Sequence, residues 1–135
     1  MKISTKAQYG LRAMCYLVGC CEKDKVYSLS DIAEAEDIPQ DYLEKIMNNL
    51  RKGGLVKSRK GAKGGYQLAK KPEKISVKDV LDVVGETEGL VKCLRKDKSK
   101  CNRKNECVAK VVWKELEKSL YSTLKSIKLS KFKEK

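Results

Sequence analysis

One stretch constrains the fold more than any other: 28-SLSDIAEAEDIPQDYLEKIMNNLRKGGLV-56. It holds two helical patterns with almost no chain between them. Ser28, with Asp31 three residues on, marks a helix start, and Leu29, Ile32 and Ala33 give that helix one apolar face. Asp37 and Ile38 form a tight turn. Pro39 suits the first position of the next helix, where its missing N–H costs nothing. Leu43, Ile46, Met47 and Leu50 mark that helix's buried face, and Gly53 and Gly54 end it. A helix, a tight turn and a second helix are the order of a helix-turn-helix.

The flanks extend the pattern. Thr5 and Gln8 have capping-box spacing, and Leu11, Met14, Leu17 and Val18 follow, so a first helix is expected over 5–21. In 55-LVKSRKGAKGGYQLAKK-71, strand-like runs at 55–58 and 66–69 flank a Gly-rich basic turn, which reads as a hairpin. Ser76 and Asp79 start a short helix carrying Val77, Val80, Leu81 and Val84, and Gly85 and Gly89 break it. Val108, Val112, Leu116, Leu120, Leu124 and Ile127 predict one long helix over 106–128. The expected class is mainly α: a winged helix-turn-helix domain with a small β-hairpin wing, plus a long C-terminal dimerisation helix. The expected division is 1–85 for the DNA-binding domain, 86–107 for a cysteine-containing loop, and 108–135 for the long helix and basic tail. That helix has little of its own chain left to pack against, so a second copy is expected to cover its apolar stripe.

Charge narrows the partner. The chain has 135 residues and a formal net charge of +13, a field that attracts polyanions. Double-stranded DNA is the first candidate and a membrane surface the second. The longest apolar stretch, Ala13 to Cys21, is too short for a span, and Arg12 and Gly19 interrupt the region that a signal peptide would need. A cytoplasmic, non-membrane protein is expected. The chain has no histidine, so no Ser/His/Asp or Cys/His catalytic set exists, and no enzyme is expected.

In a helix-turn-helix the second helix enters the major groove, with its first residues near base edges. Here those are Gln40, Asp41, Tyr42 and Glu44. Gln suits an adenine edge, and Glu44 can accept from a cytosine amino group. Tyr42 can reach a phosphate or sugar. The hairpin tip carries Arg59, Lys60 and Lys63 between glycines that permit close backbone approach. Ser28 and Arg51 complete the candidate DNA-contacting set.

The segment 93-CLRKDKSKCNRKNEC-107 places Cys93, Cys101 and Cys107 among Arg95, Lys96, Lys98, Lys100, Arg103 and Lys104. In the reducing cytoplasm such thiols point to metal or redox chemistry rather than a disulfide framework. Positive charge lowers thiol pKa values and offsets the negative charge of an iron–sulfur cluster. A structural zinc site, a regulatory disulfide and unrelated surface thiols are the competing readings.

The opening MKISTKAQYGLRAM, the block from Ser28 to Leu68 and the run ISVKDVLDVV together resemble the bacterial winged-helix regulators that include IscR, NsrR and CymR. The resemblance covers nearly the whole chain. It implies a homodimer joined through the long helices, and DNA contacts by residues matching Gln40, Tyr42, Glu44, Lys60 and the turn beside Lys63. It also implies the iron–sulfur branch, since three cysteines lie where that branch carries them. The resulting expectation is a dimeric repressor that senses iron–sulfur status, redox state or nitric oxide through a 2Fe-2S or 4Fe-4S cluster on Cys93, Cys101 and Cys107. The alternatives are a regulator of the same fold using zinc or thiol oxidation, or a cluster-free CymR-like regulator of cysteine metabolism. The fourth ligand departs from the relatives' pattern: Lys110 stands where IscR-like members use histidine, and Gln8 where some NsrR-like members use an acidic residue. Asp97, Glu106, Cys15, Cys20, Cys21 or a small exogenous molecule remain as candidates.

Overall fold

The computed structural model describes residues 2–20, 25–91, 94–95 and 108–133. Its elements are α1 (Thr5–Gly19), α2 (Leu29–Glu36), α3 (Gln40–Lys52), β1 (Val56–Arg59), β2 (Gly65–Leu68), α4 (Val77–Val83) and α5 (Ala109–Ser126). Short 3-10 turns lie at Pro72–Lys74 and Leu129–Phe132.

The cap of α1 is Ser4, one residue before the expected Thr5. Ser4 has the extended backbone a cap requires, and its hydroxyl accepts the Ala7 N–H at 3.1 Å. Gln8 instead donates its side-chain amide to the Ile3 carbonyl at 2.9 Å. The Ser4 N–H and hydroxyl also bond Glu86 at 3.1 and 2.6 Å, tying the start of α1 to the segment after α4. Ala7, Ala13, Met14, Leu17 and Val18 of α1 are buried, and the helix packs against α3 and α4.

The turn between α2 and α3 is a Schellman motif. Ile38 N–H bonds the Ala33 carbonyl at 3.0 Å and Asp37 N–H the Glu34 carbonyl at 3.4 Å. Asp37 takes the left-handed conformation this requires (φ 52°), which a short polar side chain tolerates. Ile38 and Ala33 are both buried in the apolar core. Pro39 is the cap of α3 rather than its first helical residue: its ψ of 127° is extended, and its carbonyl accepts the Leu43 N–H at 2.9 Å. Leu43, Ile46, Met47 and Leu50 form the buried face of α3, as their spacing predicts.

The hairpin pairs β1 and β2 antiparallel, with Val56 opposite Leu68 and Arg59 opposite Gly65. Each strand differs by one residue from its expected span. Tyr27 adds a further bridge by exchanging backbone bonds of 2.9 and 2.7 Å with Tyr66. At α4 the expected capping box is present in full: Asp79 N–H to Ser76 Oγ at 3.0 Å, and Ser76 N–H to Asp79 Oδ2 at 2.9 Å.

The long helix covers Ala109–Ser126, inside the expected 106–128, and Ile127 ends it with an extended backbone. Its second half leans on α4 through half-buried Leu120, Tyr121 and Leu124. Its first half is bare: Val108 is 83% exposed, and Val111, Val112, Trp113 and Leu116 are exposed too. The chain then returns to the winged domain. Val77 N–H bonds the Ile127 carbonyl at 2.9 Å, and Leu129 is fully buried. The expected lack of own-chain packing therefore holds only for the first half of α5. Among the described residues, no helix is long and apolar enough to cross a membrane.

Candidate nucleic-acid interface

The first turn of α3 projects from the core. Gln40, Asp41, Tyr42 and Glu44 are all exposed, because the core takes the face carrying Leu43, Ile46 and Met47. Tyr42 is the most restrained of the four. Its ring meets Tyr9 of α1 edge-on, with centroids 5.6 Å apart and planes at 85°. The Arg12 guanidinium lies over the Tyr9 ring at 5.4 Å, and its Nη2 donates to the Glu36 carbonyl at the end of α2. Arg51, at the other end of α3, donates to Asn48 Oδ1 at 2.6 Å and is exposed.

Arg59 closes β1, and Lys60 and Lys63 stand exposed on the five-residue tip 60–64. Gly64 N–H bonds the Gly61 carbonyl at 2.9 Å within that tip. The base of the wing is fixed by a close approach: a Cβ on Gly65 would lie 2.4 Å from the Tyr27 carbonyl oxygen and 2.9 Å from the Ser28 nitrogen. Ser28 therefore sits against the wing while capping α2, its hydroxyl accepting the Asp31 N–H at 3.1 Å. The structure thus gathers Gln40, Asp41, Tyr42 and Glu44 on one helix turn, and Arg59, Lys60 and Lys63 on one hairpin tip. Ser28 lies at the hairpin's base, and Arg51 lies at the other end of α3. Tyr9, Arg12 and Tyr27 were not predicted for this region. The Tyr9–Arg12 spacing of three residues puts both on one face of α1, but nothing local shows that this face meets Tyr42.

A second polar cluster lies where α4, α5 and the residues just after α4 meet. Lys78 pairs with Asp82 at 3.0 Å, Thr87 donates to Asp82, and Leu90 N–H reaches Glu117 at 3.4 Å. Lys78 also lies 5.4 Å from the centre of the Tyr121 ring. The Tyr121 hydroxyl is buried without a hydrogen bond of proper geometry, although the Gly89 backbone lies close enough to favour its ionised form slightly. Burial, with the Glu117 and Asp82 carboxylates nearby, outweighs this and pushes its pKa up. A cleft of about 390 Å³ opens beside it, lined by Ile3, Leu81, Glu88, Leu120 and Leu124 among others.

Cys93, Cys101 and Cys107 lie outside the described residues, as do Cys21, Asp97 and Glu106. Among the described residues, no group of three or more Cys, Asp or Glu could hold a metal ion. Cys15 is half-buried on α1. Cys20 caps that helix, and its carbonyl accepts from the Tyr27 hydroxyl. Burial, with the Cys20 thiol beside it, pushes the Tyr16 pKa up. Gln8 is engaged with the Ile3 carbonyl, and Lys110 is half-buried in the first turn of α5.

The Rrf2 family, described as an iron-dependent transcriptional regulator, matches residues 3–135. Protein rrf2 of Nitratidesulfovibrio vulgaris is 37% identical over 130 residues, 96% of this chain and 85% of its own length. The structure of CymR, the global cysteine regulator of B. subtilis, superposes with a TM-score of 0.80 at 30% identity, covering 98% of this chain and 96% of CymR. T. potens IscR gives a TM-score of 0.76 at 38% identity, covering 96% and 84%.

Proposed function

Because this chain belongs to the Rrf2 family of transcriptional regulators, DNA-binding proteins rather than enzymes, we propose that it is a dimeric, cytoplasmic repressor that binds operator duplex DNA. The observation that carries this reading is the exposed first turn of α3, held on a buried helix face and flanked in the chain by a basic hairpin tip. In this reading Gln40, Asp41, Tyr42 and Glu44 meet base edges and backbone in the major groove. Arg59, Lys60 and Lys63 neutralise phosphates, and Ser28 and Arg51 hold the backbone at either side. Residues 1–85 form the DNA-binding unit, 86–107 the cysteine segment, and 108–135 the dimerisation helix and tail. The bare face of Val112, Trp113 and Leu116 is the contact with a second copy.

The donor set suits an iron–sulfur cluster. Cys93, Cys101 and Cys107 are thiols in a strongly basic segment, and the family is described as iron-dependent. The described end of that segment is drawn in close: a Cβ on Gly89 would lie 2.8 Å from the Arg95 nitrogen. Such a cluster, when bound, supplies a centre whose state varies with iron supply, oxygen or nitric oxide. The chain's own part is mechanical. Glu117 holds the Leu90 amide, Leu120 and Leu124 seat α5 beside α4, and the tail joins α5 to the winged domain.

Anaerobic purification, with an absorption spectrum and iron and sulfide analysis, tests the cofactor. The expected result is iron and sulfide in the wild type and their loss in each of Cys93→Ser, Cys101→Ser and Cys107→Ser. Zinc without iron, and failure to reconstitute with iron and sulfide, would overturn the cluster while leaving the DNA-binding fold intact.

A further inference from the structure

Three side chains form a continuous line from the end of α2 to the exposed turn of α3. Arg12 Nη2 donates to the Glu36 carbonyl, the last residue of α2 before the left-handed turn at Asp37. The same guanidinium covers the Tyr9 ring at 5.4 Å, and the Tyr9 ring packs edge-on against Tyr42 at 5.6 Å. Each contact has its own physical reason. A cation is favoured at a helix C-terminus, where carbonyls lack intrahelical donors. A guanidinium is attracted to an aromatic face. Two rings at this distance and angle are in the preferred T-shaped arrangement.

From this arrangement we infer that Tyr9 and Arg12 are positioning residues for DNA recognition: they hold the Tyr42 ring, and the turn before it, in the geometry that reads the duplex. The inference rests on the reading of Tyr42 as a DNA-contacting residue. Tyr42 is 38% exposed, so much of its surface is already covered before DNA arrives, and Tyr9 is part of that cover. A free tyrosine on an exposed helix turn would have to give up rotamer freedom on binding; this one gives up less. Arg12 adds a link that crosses elements. It joins α1 to the helix-turn-helix turn, so the ring and the turn are set together. A charge that acts by holding a ring leaves the number of neutralised phosphates unchanged, whereas a charge that touches phosphate adds to it.

The test uses the full-length protein and a labelled duplex enriched by the wild type from a randomised pool. Affinity is measured for Tyr42→Ala, Tyr9→Leu, Tyr9→Phe, Arg12→Gln and the double variant Tyr9→Leu/Tyr42→Ala, across a range of salt. Thermal melting checks that each is folded. Tyr42→Ala should weaken binding severalfold. Tyr9→Leu should weaken it in the wild-type background but have little effect once Tyr42 is alanine, and Tyr9→Phe should restore near-normal affinity. Arg12→Gln should weaken binding without lowering the salt slope. If Tyr42→Ala weakens binding while Tyr9→Leu acts equally in both backgrounds, the positioning role is wrong and the Tyr42 contact stands. A salt slope lowered by about one unit in Arg12→Gln would make Arg12 a direct phosphate contact and overturn its positioning role. No effect of Tyr42→Ala would overturn the DNA-contact reading and this inference with it.

Discussion

The Leu129 amide donates to the Ile75 carbonyl at 2.8 Å, and its side chain is fully buried in the winged domain's core. Leu129, three residues past the end of the long helix, therefore belongs to the same apolar core as α1, α3 and α4. Leu129→Ala should cost about 2–5 kcal/mol, the range for emptying a buried leucine site. Urea unfolding followed by circular dichroism measures this. A cost within a few tenths of a kcal/mol would place the tail outside the cooperative unit.

Lys60 and Gln40 should fail in different ways. Lys60→Ala at the wing tip should weaken all duplexes alike and lower the salt slope by about one unit if it neutralises one phosphate. Gln40→Ala should change sequence preference at one base pair by about 1–3 kcal/mol. Anisotropy titrations over several salt concentrations, with single-base variants of the preferred duplex, separate the two. Unchanged affinity and selectivity in both variants would remove 39–66 from the interface.

Leu116 is the cleaner probe of dimerisation. Leu120, at the middle of the apolar stripe, lines the cleft shared with Leu81 and Leu124, so a charge there would also disturb the chain's own packing. Leu116 is 41% exposed on the bare half of α5. Leu116→Lys should shift sedimentation from dimer towards monomer while leaving the fold intact, because it buries an unpaired charge only in the assembled state. An unperturbed dimer would remove this face from the interface.

Tyr121→Phe removes a buried hydroxyl that makes no proper hydrogen bond. Stability at neutral pH should be unchanged or higher by about 1 kcal/mol. The pH dependence follows from the direction of the shift. The Tyr121 pKa is raised on folding, so the folded state holds the proton more tightly than the unfolded chain. Its contribution is fully present below the unfolded value of about 10 and is lost as pH rises through the folded-state value. Thermal melts between neutral and strongly alkaline pH should show a shallower alkaline decline in the phenylalanine variant. Tyr16, raised in the same direction, should keep part of that decline.

What local chemistry controls was legible in the chain. Capping depends on residues three apart, so Ser28 with Asp31 and Ser76 with Asp79 marked true helix starts. Helical periodicity marked Leu43, Ile46, Met47 and Leu50 as the buried face of α3, and thereby the exposure of Gln40, Asp41 and Glu44. The cap of α1 was misplaced by one residue because Ser4 and Thr5 are chemically equivalent there. Choosing between them rests on backbone geometry and on Glu86, which lies far along the chain. Contacts of that kind were beyond any local pattern. Tyr27 pairs with Tyr66, Arg12 reaches the end of α2, Tyr9 restrains Tyr42, and Leu129 enters a core begun at Ala7. Each joins residues brought together by the packing of whole helices. The exposure of α5 was likewise decided in three dimensions: the return of the chain after Ile127 seats the helix's second half on α4 and leaves its first half bare.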